Sequence, residues 1–177
     1  MDISHIILVD ENDRQIGVME KLLAHQKGLL HRAFSIFIIN SQQQLLLQKR
    51  ALSKYHSPGL WTNSCCSHPA PGETTLNAAR KRLAEEMGFN CALIEIDAFK
   101  YRTDFDNGLI EHEYDHILTG TYDGYIVVNP KEVADYKWIS FEEIDSLLNT
   151  EKEKFTFWFH LAYPLVKKWL GNKQVSQ

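Results

Sequence analysis

The sequence predicts a mixed α+β fold in a single domain, residues 1–177. Three observations carry that prediction. Segments rich in β-branched and aromatic residues, such as His31–Asn40, are separated by short polar turns. A 3.6-residue apolar period runs through Glu73–Met87. No repeat, low-complexity tract or linker divides the chain.

Ile6–Val9 reads as a short strand, Asp10–Arg14 as a polar turn, and Ile16–Glu20 as a second strand. Lys21–His25 starts a helical turn. His31–Asn40 and Leu45–Arg50, joined by the polar Ser41–Gln44, read as a hairpin. Ala51–Gly59 is a basic loop closed by Pro58-Gly59. In the Glu73–Met87 helix, Leu76, Ala79, Leu83 and Met87 form the buried stripe and Gly88 ends it as a left-handed cap. Arg82 and Glu86 share one flank of that stripe, and Lys81 and Glu85 point more toward solvent. Leu93–Arg102 and Leu109–Thr121 are strands joined by the Asp104–Gly108 turn, and Tyr136–Ile139 is a further short strand. Ser140 caps a helix reaching Leu148, with Glu143 at the capping-box position. The aromatic tail Phe155–Leu170 has helical period, divided or kinked at Pro164.

Composition narrows the function classes. The net charge of −4 argues against a nucleic-acid surface. No apolar run approaches the ~18 residues of a spanning helix, and the start, Met1-Asp2-Ile3-Ser4-His5, lacks the layout of a signal peptide. The three cysteines, two of them adjacent, give no disulfide framework and suit a reducing cytoplasm. No heptad pattern demands a partner, so a monomer is expected.

Several clusters offer chemistry. On a strand, Glu111 and Glu113 face one side and His112 the other. His25 and His31 fall on different faces if helical, so they converge only through a loop or a strand entrance. With His68 they make three imidazoles and two carboxylates, a donor set for a divalent transition metal such as Zn²⁺ or Mn²⁺; singly, each reads more simply as a packed or solvated side chain. Lys21, Arg50, Lys54 and Arg82 can bind phosphate oxygens by charge-assisted hydrogen bonds. Glu86 can hold a Mg²⁺ bridging them; spacing alone favours an ordinary i,i+4 pair with Arg82. Cys65 and Cys66 cannot both face one pocket from an extended segment, so at most one is catalytic. His5, His56, His112, His116, His160 and Cys65 receive no role.

Taken together, Thr62-Asn63-Ser64-Cys65-Cys66-Ser67-His68-Pro69, Leu30-His31-Arg32-Ala33-Phe34-Ser35, Arg50-Ala51-Leu52-Ser53-Lys54, Tyr101-Arg102, Glu111-x-Glu113 and Trp158 resemble the type I isopentenyl-diphosphate isomerases of the Nudix fold superfamily. The resemblance spans nearly the whole chain and implies a Nudix-like domain, a mixed β-sheet with flanking helices. The Nudix box, G-x5-E-x7-R-E-U-x-E-E-x-G-U, maps onto Ser67–Phe89, keeping Glu73, Leu83, Glu85, Glu86, Gly88 and Phe89. It departs at Ser67, Lys81 and Arg82. Arg82 stands where a hydrolase carries a metal-binding carboxylate, which weakens a Nudix-type diphosphate hydrolase as the alternative.

By that resemblance Cys66 and Glu113 are catalytic, with Tyr101 and Trp158 beside the reacting carbons. It makes His25, His31, His68, Glu111 and Glu113 ligands of one Zn²⁺ or Mn²⁺, Glu86 the ligand of a Mg²⁺ bound with the diphosphate, and Lys21, Arg50, Lys54 and Arg82 the diphosphate contacts. The implied substrate is a small prenyl diphosphate, with no nucleic-acid or membrane partner. The implied reaction interconverts isopentenyl and dimethylallyl diphosphate by protonation and deprotonation.

Overall fold

In the computed structural model, which describes residues 5–175, nine strands form one curled sheet with four α-helices against it. β1 (His5–Val9) and β2 (Gln15–Glu20) pair antiparallel. The Asp10 side chain shapes their turn by accepting the N–H groups of Asn12 and Arg14. α1 (Lys21–Lys27) starts where the Glu20 carboxylate accepts the N–H groups of Leu22 and Leu23. It stops at Gly28, whose φ of 62° is left-handed.

β3 (His31–Ile39) and β4 (Gln44–Arg50) are joined by the expected tight turn, but they are paired only at Ile39 and Leu45. The hairpin is splayed by the segment between β5 (Trp61–Thr62) and β6 (Cys65–Ser67). Ser64 Oγ accepts the N–H of Ile38 at 2.9 Å and donates to the carbonyl of Leu46 at 2.7 Å. One hydroxyl thus takes ladder groups from both strands. Asn63 Nδ2 donates to the carbonyl of Ile36, and Gln48 Nε2 to that of Ser64. Below this wedge β6 pairs antiparallel with β3, setting Cys66 opposite Ser35.

α2 (Thr75–Met87) begins two residues after the predicted Glu73, because Thr74 is the cap, its hydroxyl accepting the N–H of Asn77. Glu73 lies outside and accepts the N–H of Ala70. At the other end Gly88 has φ 76°, and a Cβ there would sit 2.2 Å from the Val127 carbonyl oxygen, so both conformation and space require glycine.

β7 (Leu93–Asp104) and β8 (Ile110–Thr121) form the predicted hairpin. β8 then runs parallel to β3 along its whole length, placing Glu113 opposite His31. β9 (Val133–Ser140) is longer than the predicted Tyr136–Ile139, since it pairs with all of β4. α3 (Phe141–Thr150) carries the predicted Ser140/Glu143 capping box. After a 3-10 turn, Lys152–Lys154, α4 (Phe157–Val175) runs through Pro164 undivided. Pro164 is exposed, so water can reach the backbone its ring leaves unbonded.

The near-continuous apolar run in β3 follows from burial on both faces. Phe34, Ile36 and Ile38 join Leu83 and Met87 of α2 in one core, while Phe37 and Ile39 join Ile144 and Phe159 of α3 and α4 in the other. Leu46 faces the first core, and Leu45 and Leu47 the second. Phe159 is fully buried and lies 5.2 Å from Phe155 and 5.4 Å from Tyr163, ring centre to ring centre. Phe159→Ala is expected to destabilise the chain by about 3–5 kcal/mol through lost burial and a residual cavity. Urea unfolding measures this, and a loss under 1 kcal/mol would mean the second core is not packed as described.

Candidate active site

The site forms where β3, β6 and β8 bring their side chains into one cavity beneath the Ala51–Leu60 loop. Lys21, Arg50, Lys54, Cys66, His68, Arg82, Glu86, Tyr101, Glu111, Glu113 and Trp158 line it. His25 and His31 complete the His/Glu cluster, in which one ligand atom from each of His25, His31, His68, Glu111 and Glu113 lies within 4.8 Å of all the others. Every residue singled out from the sequence therefore converges on this one region.

His25 and His31 meet because Gly28 turns the chain out of α1 directly into β3. Their ring centres are 4.7 Å apart. His25 Nδ1–H donates to the Lys21 carbonyl at 2.6 Å, and His31 Nδ1–H to the Leu29 carbonyl at 2.8 Å. That orients both rings, leaving each Nε2 aimed into the cluster with no hydrogen bond there. Two buried imidazole nitrogens beside two buried carboxylates are the donor set of a divalent transition metal, so these residues fit such an ion.

The carboxylates sit as the strand period requires. Glu111 is 1% and Glu113 8% exposed, while His112 turns away and its Nδ1–H donates to the Gly28 carbonyl. Glu113 Oε1 accepts from His68 Nε2 at 2.9 Å, and Oε2 from the Tyr101 hydroxyl at 2.7 Å. Burial would raise Glu113, but the His31 and His68 contacts outweigh it and hold it well below the usual carboxylate range. Glu111 is raised by burial and by the neighbouring Glu113 charge. Burial pushes the Tyr101 hydroxyl well up, with Glu113 adding to it.

Cys65 and Cys66 divide as alternation demands. Cys65 is fully buried in the α2 core. Cys66 faces the cavity with its Sγ 4.0 Å from Arg50 Nη1. Burial pushes its thiol up to about 12 against the lowering pull of Arg50. Trp158 is held by an indole N–H bond to Asn63 Oδ1 at 3.3 Å, and the Arg50 guanidinium lies over its ring at 5.3 Å. The Asn63–Ser64 wedge that splays the β3–β4 hairpin thus also sets both Cys66 and Trp158.

The basic groups and Glu86 form a second region of the cavity. Arg82 Nη2 donates to Glu86 Oε1 at 2.5 Å, and Gln48 Nε2 to Glu86 Oε2 at 3.0 Å. The Arg82–Glu86 pair is therefore not the surface pair that spacing favoured; Glu86 is 3% exposed. Arg82 also reaches Glu85 at 2.9 Å, so Glu85 does not simply face solvent. Lys54 pairs with Glu132. Burial lowers Lys21, although Glu111 pulls the other way.

Two further groups in the site drew no expectation. Asp115 continues the Glu111-x-Glu113 alternation, is 1% exposed and accepts the Ser35 hydroxyl at 2.7 Å; extending the period by one step along the strand would have found it. His56 lines the cavity from the loop, its Nε2 against Glu111 and its Nδ1 2.9 Å from Arg50 Nη2. Burial and then the Arg50 charge push it down to about 2. Only its closeness to Lys54 in the sequence hinted at this position.

The NUDIX domain matches residues 29–159. The isopentenyl-diphosphate Delta-isomerase of Pectobacterium atrosepticum is 54% identical over 163 residues, 92% of this chain and 91% of that protein. The isopentenyl-diphosphate Delta-isomerase of Burkholderia multivorans is 50% identical over 169 residues, 93% of this chain and 96% of that protein. Among solved structures, DR0079 from Deinococcus radiodurans superposes with a TM-score of 0.67 at 21% identity, covering 83% of this chain and 90% of that one, a likeness of fold.

Proposed function

The chain belongs to the isopentenyl-diphosphate Delta-isomerase family of NUDIX-domain proteins, and from that membership we propose how its own residues divide the work. It is an enzyme that interconverts isopentenyl and dimethylallyl diphosphate. Protonating the terminal alkene carbon makes a tertiary cation, and a different carbon must then lose a proton. That needs an acid and a base on opposed sides of the substrate, each within hydrogen-bond reach. The observation that carries the reading is that Cys66 and Glu113 line one cavity from β6 and β8, which flank β3 on opposite edges.

Each group is the acid in one direction and the base in the other, so each turnover leaves the two protonation states exchanged. Tyr101 holds Glu113 by its hydroxyl, which keeps that carboxylate aimed into the cavity. Trp158 stabilises the cation through its ring quadrupole, an effect of ~2 kcal/mol or more where water is excluded; its face already carries the Arg50 guanidinium. Lys21, Arg50, Lys54 and Arg82 bind the diphosphate, whose attachment fixes a hydrocarbon end that offers little to grip. His25, His31, His68, Glu111 and Glu113 would hold a Zn²⁺ or Mn²⁺, whose charge sets the proton affinity of Glu113. Glu86 would hold a Mg²⁺ bound with the diphosphate. The reading keeps the chain a monomer in a reducing cytoplasm, which its three free thiols suit.

A diphosphate hydrolase is less supported, since Arg82 replaces a carboxylate of the Nudix box and pairs with Glu86 instead. The deciding experiment is incubation with isopentenyl diphosphate in D₂O, with and without added divalent metal. Because both groups must re-equilibrate with solvent between turnovers, deuterium is expected in the product and in recovered substrate. An unlabelled carbon skeleton, or release of phosphate, would refute proton-exchange chemistry.

A further inference from the structure

We propose that His56 is a positioning residue that ties the diphosphate clamp to the metal centre through its two ring nitrogens. The inference rests on the reading above, in which Arg50 binds diphosphate and Glu111 ligates the metal. His56 touches both. Its Nδ1 lies 2.9 Å from Arg50 Nη2, its own carbonyl accepts from the same Nη2 at 3.2 Å, and its Nε2 lies against Glu111 Oε1. A neutral ring accepts from the guanidinium at Nδ1, and its Nε2 edge packs against the Glu111 carboxylate.

The ring has little freedom to do anything else. It packs 4.6 Å from Tyr55 and 5.7 Å from both Phe105 and Trp158, centre to centre. Ser57, the next residue, has φ 47°, a left-handed conformation that a non-glycine residue seldom adopts. That turn sends the loop back toward β5 and leaves His56 facing inward. A guanidinium gripped at two points on one residue is fixed in orientation, and its planar fork depends on orientation to meet an anion. The same imidazole fixes the Glu111 oxygen it touches, and with it the lone pairs left for the cation.

Anion site and metal site therefore communicate through one side chain, and each ligand strengthens the other reciprocally. The test measures the affinity of inorganic pyrophosphate for metal-free and Zn²⁺-loaded protein by calorimetry, with zinc content checked after each titration. For the unaltered chain the loaded form is expected to bind pyrophosphate at least about 5-fold more tightly. Direct attraction to the ion survives without the histidine, so in His56→Ala this ratio should fall about threefold rather than to one. His56→Asn keeps an acceptor near the Nδ1 position but cannot reach Glu111. It should leave the metal-free affinity within about twofold of the unaltered chain while the ratio falls as in the alanine variant.

A merely structural role would lower both affinities together and leave the ratio alone. An unchanged ratio in both variants, or no coupling in the unaltered chain, overturns the role of His56 while leaving the site assignments standing. An unaltered chain that binds neither Zn²⁺ nor pyrophosphate overturns those assignments as well.

Discussion

Cys66→Ala and Glu113→Gln are each expected to lower kcat by about 10⁴-fold, the upper range for loss of a positioned proton donor or acceptor. The size follows from the substrate. An unactivated alkene has no lone pair to receive a proton weakly, and the cavity offers no second group in the right place. Ser35 lies opposite Cys66 in the sheet, but its hydroxyl is committed to Asp115. Tyr101 donates its only proton to Glu113 and cannot replace it. Neither change disturbs the two apolar cores, which contain neither residue. Denaturant stability should therefore stay close to that of the unaltered chain, so the loss is read as chemistry. Turnover within tenfold of normal in either variant would remove that residue from its assigned role.

Stripping the metal should be almost as damaging, and it separates an enzyme from a metal-stapled structural domain. Prolonged chelation is expected to abolish isomerisation, with recovery on adding Zn²⁺ or Mn²⁺. An ion held at about 1,000-fold above its Kd contributes about 4 kcal/mol to stability. In a chain of this size its removal corresponds to a fall in Tm of roughly 10 °C. The chain should nevertheless stay folded below that temperature, because none of the five candidate ligands belongs to either hydrophobic core. Circular dichroism with parallel activity measurements checks both halves. Collapse of secondary structure on chelation would instead mark the ion as the scaffold.

Much of this site was legible before any coordinates. Strand alternation put Cys65 and Cys66 on opposite faces and Glu111 and Glu113 on one, helix period put Arg82 beside Glu86, and the family resemblance chose Cys66 over Cys65. Other features were not legible. Ser140 with Glu143 makes a recognisable cap, but nothing local shows that Ser64 will insert between Ile38 and Leu46 and open the hairpin. Nothing local shows that Asn63 will anchor Trp158 from 95 positions away. His56 gave no periodic signal, since it lies in a loop whose course is set by Ser57 and by the rings around it.

The sequence by itself determined which way each side chain points within its own element, because the geometry of a strand or a helix repeats every two or 3.6 residues and asks only about near neighbours. It determined the Gly88 and Ser140 caps and the chemical identity of the donors for the same reason. Only the tertiary structure decided which elements lie side by side: β8 parallel against β3, so that Glu113 meets His31, and the loop after β4 folded inward, so that His56 meets Glu111. Strand partners are chosen by burial of both sheet faces at once, a competition among distant segments that no short window of residues contains.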